Sequence, residues 1–504
     1  MDIEPRRDFI RKPTMIATAS AFTFRLDELT LKLWTTCVLQ EDSGSAHATV
    51  NLKEGEQLWA VLTVGNAEEP WSASILERRL EDTVVYWRNW LDGLTYTGLR
   101  GDRVRRSALT IHLLSYAPTG SMVAAPTTSL PERLGSDRNY DYRYAWVRDA
   151  SLSLAVLALL GDTKAAKAYM DWLAELDSST DSPLQVVYGI SGNTDLTERA
   201  RDDLAGYQGS RPVRFGNHAF SQRQLDSLGY FVDCAFIYLQ QGGEWRDEYW
   251  DLTCRIADYT AKNWTWPDSG IWELTAERHY VSSRVMSWVV FDRAIKMAEQ
   301  LGHRETLGDW RAAKEAIQTQ LMTQGWSDRL SAFRQSYEDD RLDASVLLIP
   351  VMGFLPADHP RVVSTVQRIE ESLTIDGFVY RFRSPGAEEA ALPLGDFEGA
   401  FLPCTFWLAT TYAMAGRADE AEAILNRAET YAGALGLFAE EVDPRSGSFL
   451  GNSPLLFAHV EYIRAVMELA KARPLDHARL LLGKVKQWLG QRLFGQERRL
   501  RKEA

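Results

Sequence analysis

The sequence is poor in the features that mark several protein classes. Its 504 residues include four cysteines, Cys37, Cys234, Cys254 and Cys404, far apart and without a CxxC spacing. They read as reduced, partly buried thiols, not as a disulfide framework or a zinc site. The eight histidines form no HExxH and no HxH pair, so no metal centre is expected. His459, in the apolar run LLFAHVEYI, reads as a hydrogen-bonded structural histidine. There is no Walker loop and no GxGxxG, and no cofactor is expected. No apolar run reaches the roughly 18 residues of a membrane span. The opening MDIEPRRDFIRKP lacks the apolar core of a signal peptide, so a cytoplasmic chain is expected. Basic residues are outnumbered, and a net charge of −13 speaks against a nucleic-acid partner and against most anionic substrates.

What is present is an ordinary globular composition, 45% apolar and 25% charged, on a chain long enough for one large core and a smaller domain. The first 80 residues hold short runs rich in β-branched and aromatic residues: FTFRL, LTLKLWTTCVL, HATVNL and LWAVLTV. They read as strands of a small sheet. From about residue 82 the apolar period becomes helical. The chain then falls into six helix pairs: 148–160 with 163–176, 222–240 with 246–262, 284–301 with 306–323, 343–350 with 361–373, 398–415 with 418–431, and 455–472 with 475–490. Thr163 is the expected cap of its helix. Connections within pairs are short and those between pairs are long. Antiparallel hairpins then place every long loop at one end. Six hairpins can close into a double ring, an (α/α)6 toroid, or stack as an open solenoid. The expected organisation is a reduced, partial β-sandwich region at 1–80, a helical linker at 81–115, the toroid at 116–490 and a basic tail at 491–504. The tail segment KVKQWLGQRLFGQERRLRK reads as a last helix with a solvated end, with a membrane-surface or partner helix as the alternative.

The long loops carry the text of interest. RNYDYRYAWVRDAS (138–151), LQVVYGISG (184–192), GYQGSRPVRFGN (206–217), GIWE (270–273), EGAFLPCTFWL (398–408) and GLFAEEVDP (436–444) occur in that order. VAAPTTSLPE (123–132) precedes them. Together they resemble glycoside hydrolase family 15, the glucoamylase-type enzymes, in its bacterial branch. The resemblance covers residues 82 to 470. It implies an (α/α)6 barrel and inverting release of glucose from the non-reducing ends of α-glucosides.

Inverting hydrolysis needs two carboxyl groups about 6.5–9.5 Å apart, with a water between one of them and the sugar. Glu273 lies in the loop entering the third pair and Glu440 in the loop entering the sixth. Three steps around a six-membered ring place them on opposite walls. The resemblance assigns Glu273 as general acid and Glu440 as general base. The acid must keep its proton, so a desolvating neighbour is expected, with Trp272 either supplying that surface or stacking on sugar. The base must stay ionised, so Glu440 is expected to be the wetter or the better hydrogen-bonded of the two. The resemblance points Glu441 to substrate hydroxyls, with the reverse assignment of Glu440 and Glu441 as the alternative. It also has Arg148 and Asp149 grip the terminal glucose, where the plain reading is a helix-capping pair. Tyr142 is placed near the charge that develops on the ring, and Tyr144 and Trp146 share its stretch, with core packing as the alternative for each. Arg214 and Asn217 are candidate pocket-wall groups or loop braces. Arg381 is a candidate sugar contact or a structural ion pair.

The sequence departs from the family in places. Its β region is too short for the complete sandwich of bacterial members, so either the domain is reduced or the chain lacks its natural start. Tyr140 stands where members have tryptophan, and Thr275 where they commonly have arginine. NSPLLFAH replaces NFPQAFSH, which changes Ser453, Leu455 and Ala458. These changes imply altered contacts beyond the first glucose. The expected partner is an α-linked glucose oligo- or polysaccharide, with no membrane partner and with homo-oligomerisation left open. Glucoamylase-type hydrolysis leads. Trehalose or isomalto-oligosaccharide hydrolysis on the same site is the alternative, and a non-catalytic carbohydrate-binding or regulatory protein is the alternative of another class.

Overall fold

A computed structural model describes residues 2–6, 14–17, 22–42, 45–65, 71–176, 181–303, 307–383 and 392–473. The chain divides into two compact units, Met1–Asp92 and Gly93–Ala504. The boundary falls inside the stretch expected as a linker.

In the first unit, strands Thr14–Ala17, Phe22–Leu26, Leu29–Thr35 and Ala60–Val64 form an antiparallel sheet in that order. A second sheet orders Asp2–Ile3, Ser45–His47 and Gln40–Asp42. Phe24 and Leu33 from the first share an apolar cluster with Ala46 from the second, which is sandwich-like packing on a small scale. Strands do not fill the expected 80 residues. Helix α1, Ala73–Asp92, already begins at residue 73.

The second unit carries α2 Gly101–Leu113, α3 Val147–Leu159, α4 Thr163–Glu175, α5 Leu225–Gln240, α6 Asp247–Asn263, α7 Val281–Leu301 and α8 Leu307–Gln324. After these come a 3-10 turn, Ala344–Leu347, running into α9 Leu348–Val351, then α10 Pro360–Leu373, α11 Leu402–Met414, α12 Ala418–Tyr431 and α13 Leu456–Ala472. Burial separates them into two classes. Every residue of α3 from Val147 to Ala158, and of α11 from Leu402 to Ala413, is buried. A helix enclosed on all sides is an interior helix. By contrast, α4 buries one stripe (Ala166, Tyr169, Met170, Trp172, Leu173), as does α10 (Val362, Thr365, Val366, Ile369, Leu373).

The interior helices pack in sequence, α3 on α5, α5 on α7, α7 on α9, α9 on α11 and α11 on α13, and α13 returns to α3. The ring closes, so the expected toroid is borne out and the open solenoid is not. Close approach is built in. A side chain on Gly229 of α5 would meet the Met286 carbonyl oxygen of α7 at 2.5 Å. One local expectation changes. Asp162, not Thr163, caps α4, accepting from the Lys164 and Ala165 N–H groups. The flank of α13 is covered by α2, through an apolar face that includes Val104, Ala108 and Ile111. The helix expected at 475–490 and the tail at 491–504 lie outside the described residues.

Candidate active site

The connections entering α3, α5, α7, α11 and α13 meet around a cavity of about 460 Å³. Glu273 and Glu440 both line it. The GIWE segment is a tight turn: Glu273 N–H donates to the Gly270 carbonyl, and Leu274 N–H to that of Ser269. Glu273 itself has φ 59°, a left-handed conformation that costs a non-glycine residue energy and persists only where its surroundings enforce it. Gln222 Nε2 holds the Glu273 carbonyl at 3.0 Å. Its carboxyl Oε1 accepts from Trp146 Nε1 at 2.7 Å and from Arg148 Nη2 at 3.4 Å.

Glu440 is fixed from the other side. Tyr142 Oη donates to Oε1 at 2.5 Å, and the Asn452 N–H donates to Oε2 at 3.1 Å. Gly451 passes so close, at φ 70°, that a side chain there would overlap the Glu440 carboxyl. The Tyr142 and Trp146 rings meet edge to face, 5.6 Å between centroids. The two carboxyls are thus bonded to different members of an aromatic pair, not to each other. An inverting mechanism requires that the two carboxyls not bond each other directly, leaving room for a water.

Burial pushes both carboxyls above the ordinary range. For Glu273 the Arg148 guanidinium and the Trp146 N–H oppose it. For Glu440 burial and neighbouring Glu132 raise the value to about 8, against the pull of Tyr142, Arg381 and Asn452. The expected contrast in hydration is reversed. Glu440 is 1% exposed, whereas the Glu273 side chain is 23% exposed. Its two donors favour the ionised form but do not outweigh burial and Glu132.

Other predicted residues divide into those facing the cavity and those supporting it. Arg148 lines it, held by Asp149 Oδ2 at 3.1 Å and the Ile271 carbonyl at 3.0 Å. Asp149 also lines it, its carboxyl raised by burial and opposed by Arg148. Trp146 faces the cavity as well, and its indole N–H donates to Glu273. Trp272 also lines the wall, but its Nε1 turns to Asp343 at 2.9 Å. Arg214 reaches the cavity while tied to Glu198 at 2.8 Å and to two carbonyls. Asn217 does so while both ends of its amide brace the loop, to the Asp141 carbonyl and the Ala219 N–H. Tyr144 is a brace outside the lining, accepting the Gly216 N–H at 3.0 Å.

Glu441 is displaced from its expected role. It is fully buried and outside the lining, with Oε2 accepting the Gly399 N–H at 2.8 Å. It opens the strand Glu441–Asp443, where adjacent side chains point to opposite faces, so Glu440 and Glu441 part company. Glu441 joins a buried charge cluster. Arg381 Nη2 lies 2.7 Å from Glu132 and 2.6 Å from Glu398, and Arg138 pairs with the same two. Arg381 touches the cavity but is committed to these carboxylates. The convergence of Glu132, Glu398 and Glu441 has the geometry of a cation site, yet guanidinium groups already sit among the oxygens. Burial pushes Glu441 well above the ordinary carboxyl range, as a third acid without its own cation should be.

Sequence reasoning passed over Glu132, Glu198, His218, Gln222, Phe401 and Phe457, all in the lining. Glu132 and Phe401 lie inside motifs quoted above, where only position in space distinguishes them. His459 accepts the Phe438 N–H and meets Ser107 Oγ, as a structural histidine should, and burial lowers it to about 3.

Comparisons with known proteins agree with this fold. The family described as Glycosyl hydrolases family 15 matches residues 98–423 and 418–467. Trehalase of Mycolicibacterium smegmatis is 37% identical over 452 residues, covering 88% of this chain and 66% of the relative. Trehalase of Thermoplasma acidophilum is 35% identical over 478 residues, covering 94% and 81%. The chain therefore spans just under two thirds of the mycobacterial relative. Among solved structures, a bacterial glucoamylase complexed with acarbose superposes with a TM-score of 0.69 at 15% identity, covering 90% of this chain and 74% of that one. No described helix is long and apolar enough to cross a membrane. With its closed helical ring, its loop-built cavity and these matches, the chain belongs to the glycosyl hydrolases of family 15.

Proposed function

We propose that this chain hydrolyses trehalose with inversion, Glu273 acting as general acid and Glu440 as general base. The observation that carries the reading is the pair of carboxyls on one cavity, separated by the Tyr142–Trp146 ring pair. Half-buried Glu273 retains its proton and gives it to the departing glycosidic oxygen. Glu440 removes a proton from water attacking the opposite face of the sugar. Tyr142 and the Asn452 N–H favour the ionised base, and Arg148 with Asp149 presents a donor and an acceptor to sugar hydroxyls.

Glucoamylase-type action led on the motifs. Trehalose takes its place because the relatives at 37% and 35% identity are named trehalase, while the glucoamylase likeness is one of fold. Trehalose also makes the stereochemistry readable. Inversion releases one β-glucose from the attacked ring and one α-glucose as leaving group. Proton NMR at early times should show the anomers in equal amounts, and two α anomers would refute inversion. A parallel panel of maltose, starch and isomaltose should turn over far more slowly. Faster release from maltose or starch would restore the glucoamylase reading.

A further inference from the structure

The helix that follows the segment holding the candidate acid carries a buried polar group that the proposed reaction leaves unused. Asp226, in the first turn of α5, is 0% exposed, and among the described residues neither carboxyl oxygen has a hydrogen-bond partner. One turn on, on the same helix face, Tyr230 is 1% exposed and its hydroxyl is likewise unpartnered among the described residues. Buried polar groups are almost always satisfied, by protein or by ordered water. The segment before them embraces the acid: Gln222 holds the Glu273 carbonyl, and Gln224 bonds Gln222.

We propose that Asp226 is a positioning residue for Glu273: an ordered water bridges its carboxyl and the Tyr230 hydroxyl, and its charge shares Arg148 with Glu273. Arg148 is the only cation shown in hydrogen-bond contact with Glu273 among the described residues, and its pull would otherwise draw the acid's proton away. A second carboxyl within its field offsets that pull. The groups facing Asp226 are Arg148 from α3 and Asp268 and Glu273 from the connection into α7. Tyr230 also faces Glu461 and Arg464 of α13. Glu273 faces Asp149 and Trp146 besides Arg148. Burial lifts Asp226 to about 7, so its charge develops in the range where the acid must still hold a proton.

The inference rests on the proposed roles of Glu273 and Glu440, and the test separates the two. Glucose release from trehalose is followed across pH in the full chain and in Asp226→Asn. Ionised Asp226 holds the proton on Glu273. Its removal should move the alkaline limb of kcat to lower pH by about half a unit or more, with KM changed less than about twofold. Tyr230→Phe should give a smaller shift in the same direction. An unmoved limb, or one moved to higher pH, in a folded Asp226→Asn variant overturns the inference. Glu273→Gln is the control. If it keeps full activity on trehalose, the assignment of the acid has failed instead. Should Asp226→Asn not fold, a crystal structure of the unsubstituted chain decides. Water bonded to both Asp226 and Tyr230 supports the proposal, and direct contact without water refutes it.

Discussion

Replacing Arg381 by methionine keeps much of the stem and removes the guanidinium from among Glu132, Glu398 and Glu441. All three carboxyls are buried, and Arg138 alone would remain to balance them. Breaking a buried pair costs about 3–5 kcal/mol when the stranded charge stays. A stranded carboxylate can instead take up a proton, which limits the loss. With an unfolded-state pKa of about 4.3, protonating one glutamate at about pH 7 costs about 3.7 kcal/mol, and at about pH 5 about 1 kcal/mol. The sign follows from the direction of each shift. In the parent, the arginines hold Glu132 below its ordinary value, so its contribution is present at neutral pH and is lost only as pH falls through the depressed value. In the variant a carboxyl is raised above its unfolded value, so the deficit grows as pH rises. Denaturant unfolding of parent and variant at both pH values should therefore give a stability difference of about 4 kcal/mol near neutrality, shrinking to about 1 kcal/mol in acid. A difference that does not change with pH would refute the charge argument.

Three other outcomes follow from the cavity. Glu440→Gln should lower kcat by about 10²–10⁴-fold with little change in KM, and Glu273→Gln should do the same on trehalose. On α-glucosyl fluoride, whose leaving group needs no proton, the Glu273 variant should recover activity and the Glu440 variant should not. Tyr142→Phe removes a donor to ionised Glu440 and raises its already elevated value, so the acid limb of the rate profile should move to higher pH. An acid limb left in place would deny Tyr142 that role. Gly451→Ala should cut activity about tenfold or more while unfolding shifts modestly, because the new carbon enters the Glu440 carboxyl at a positive φ. Full activity would show that the base is not confined there.

Both candidate acids were legible because each lies in a compact motif on a loop whose place in the ring follows from counting helices. What lay across the fold was not. Glu132, Arg381, Glu398 and Glu441 are far apart in sequence, and nothing in their local text shows that two guanidiniums must serve them. Glu441 misled because it adjoins a candidate catalytic residue in sequence but bonds elsewhere, to Gly399. Of the two ways expected to keep Glu440 ionised, hydration is absent and hydrogen bonding is present, through Tyr142 and the Asn452 N–H. The helix pairs within the described residues were readable from period alone, whereas the packing of α2 on α13 was not.

That junction bears on how the enzyme becomes competent. His459 of α13 meets Ser107 of α2, 352 positions apart, and its other ring nitrogen secures the Phe438 N–H just ahead of Glu440. So wide a separation makes this suture slow to form. A nascent chain can assemble most of the circle and still leave the proposed general base unanchored. Maturation of activity should then track the final stitch of the ring, not the appearance of helical structure.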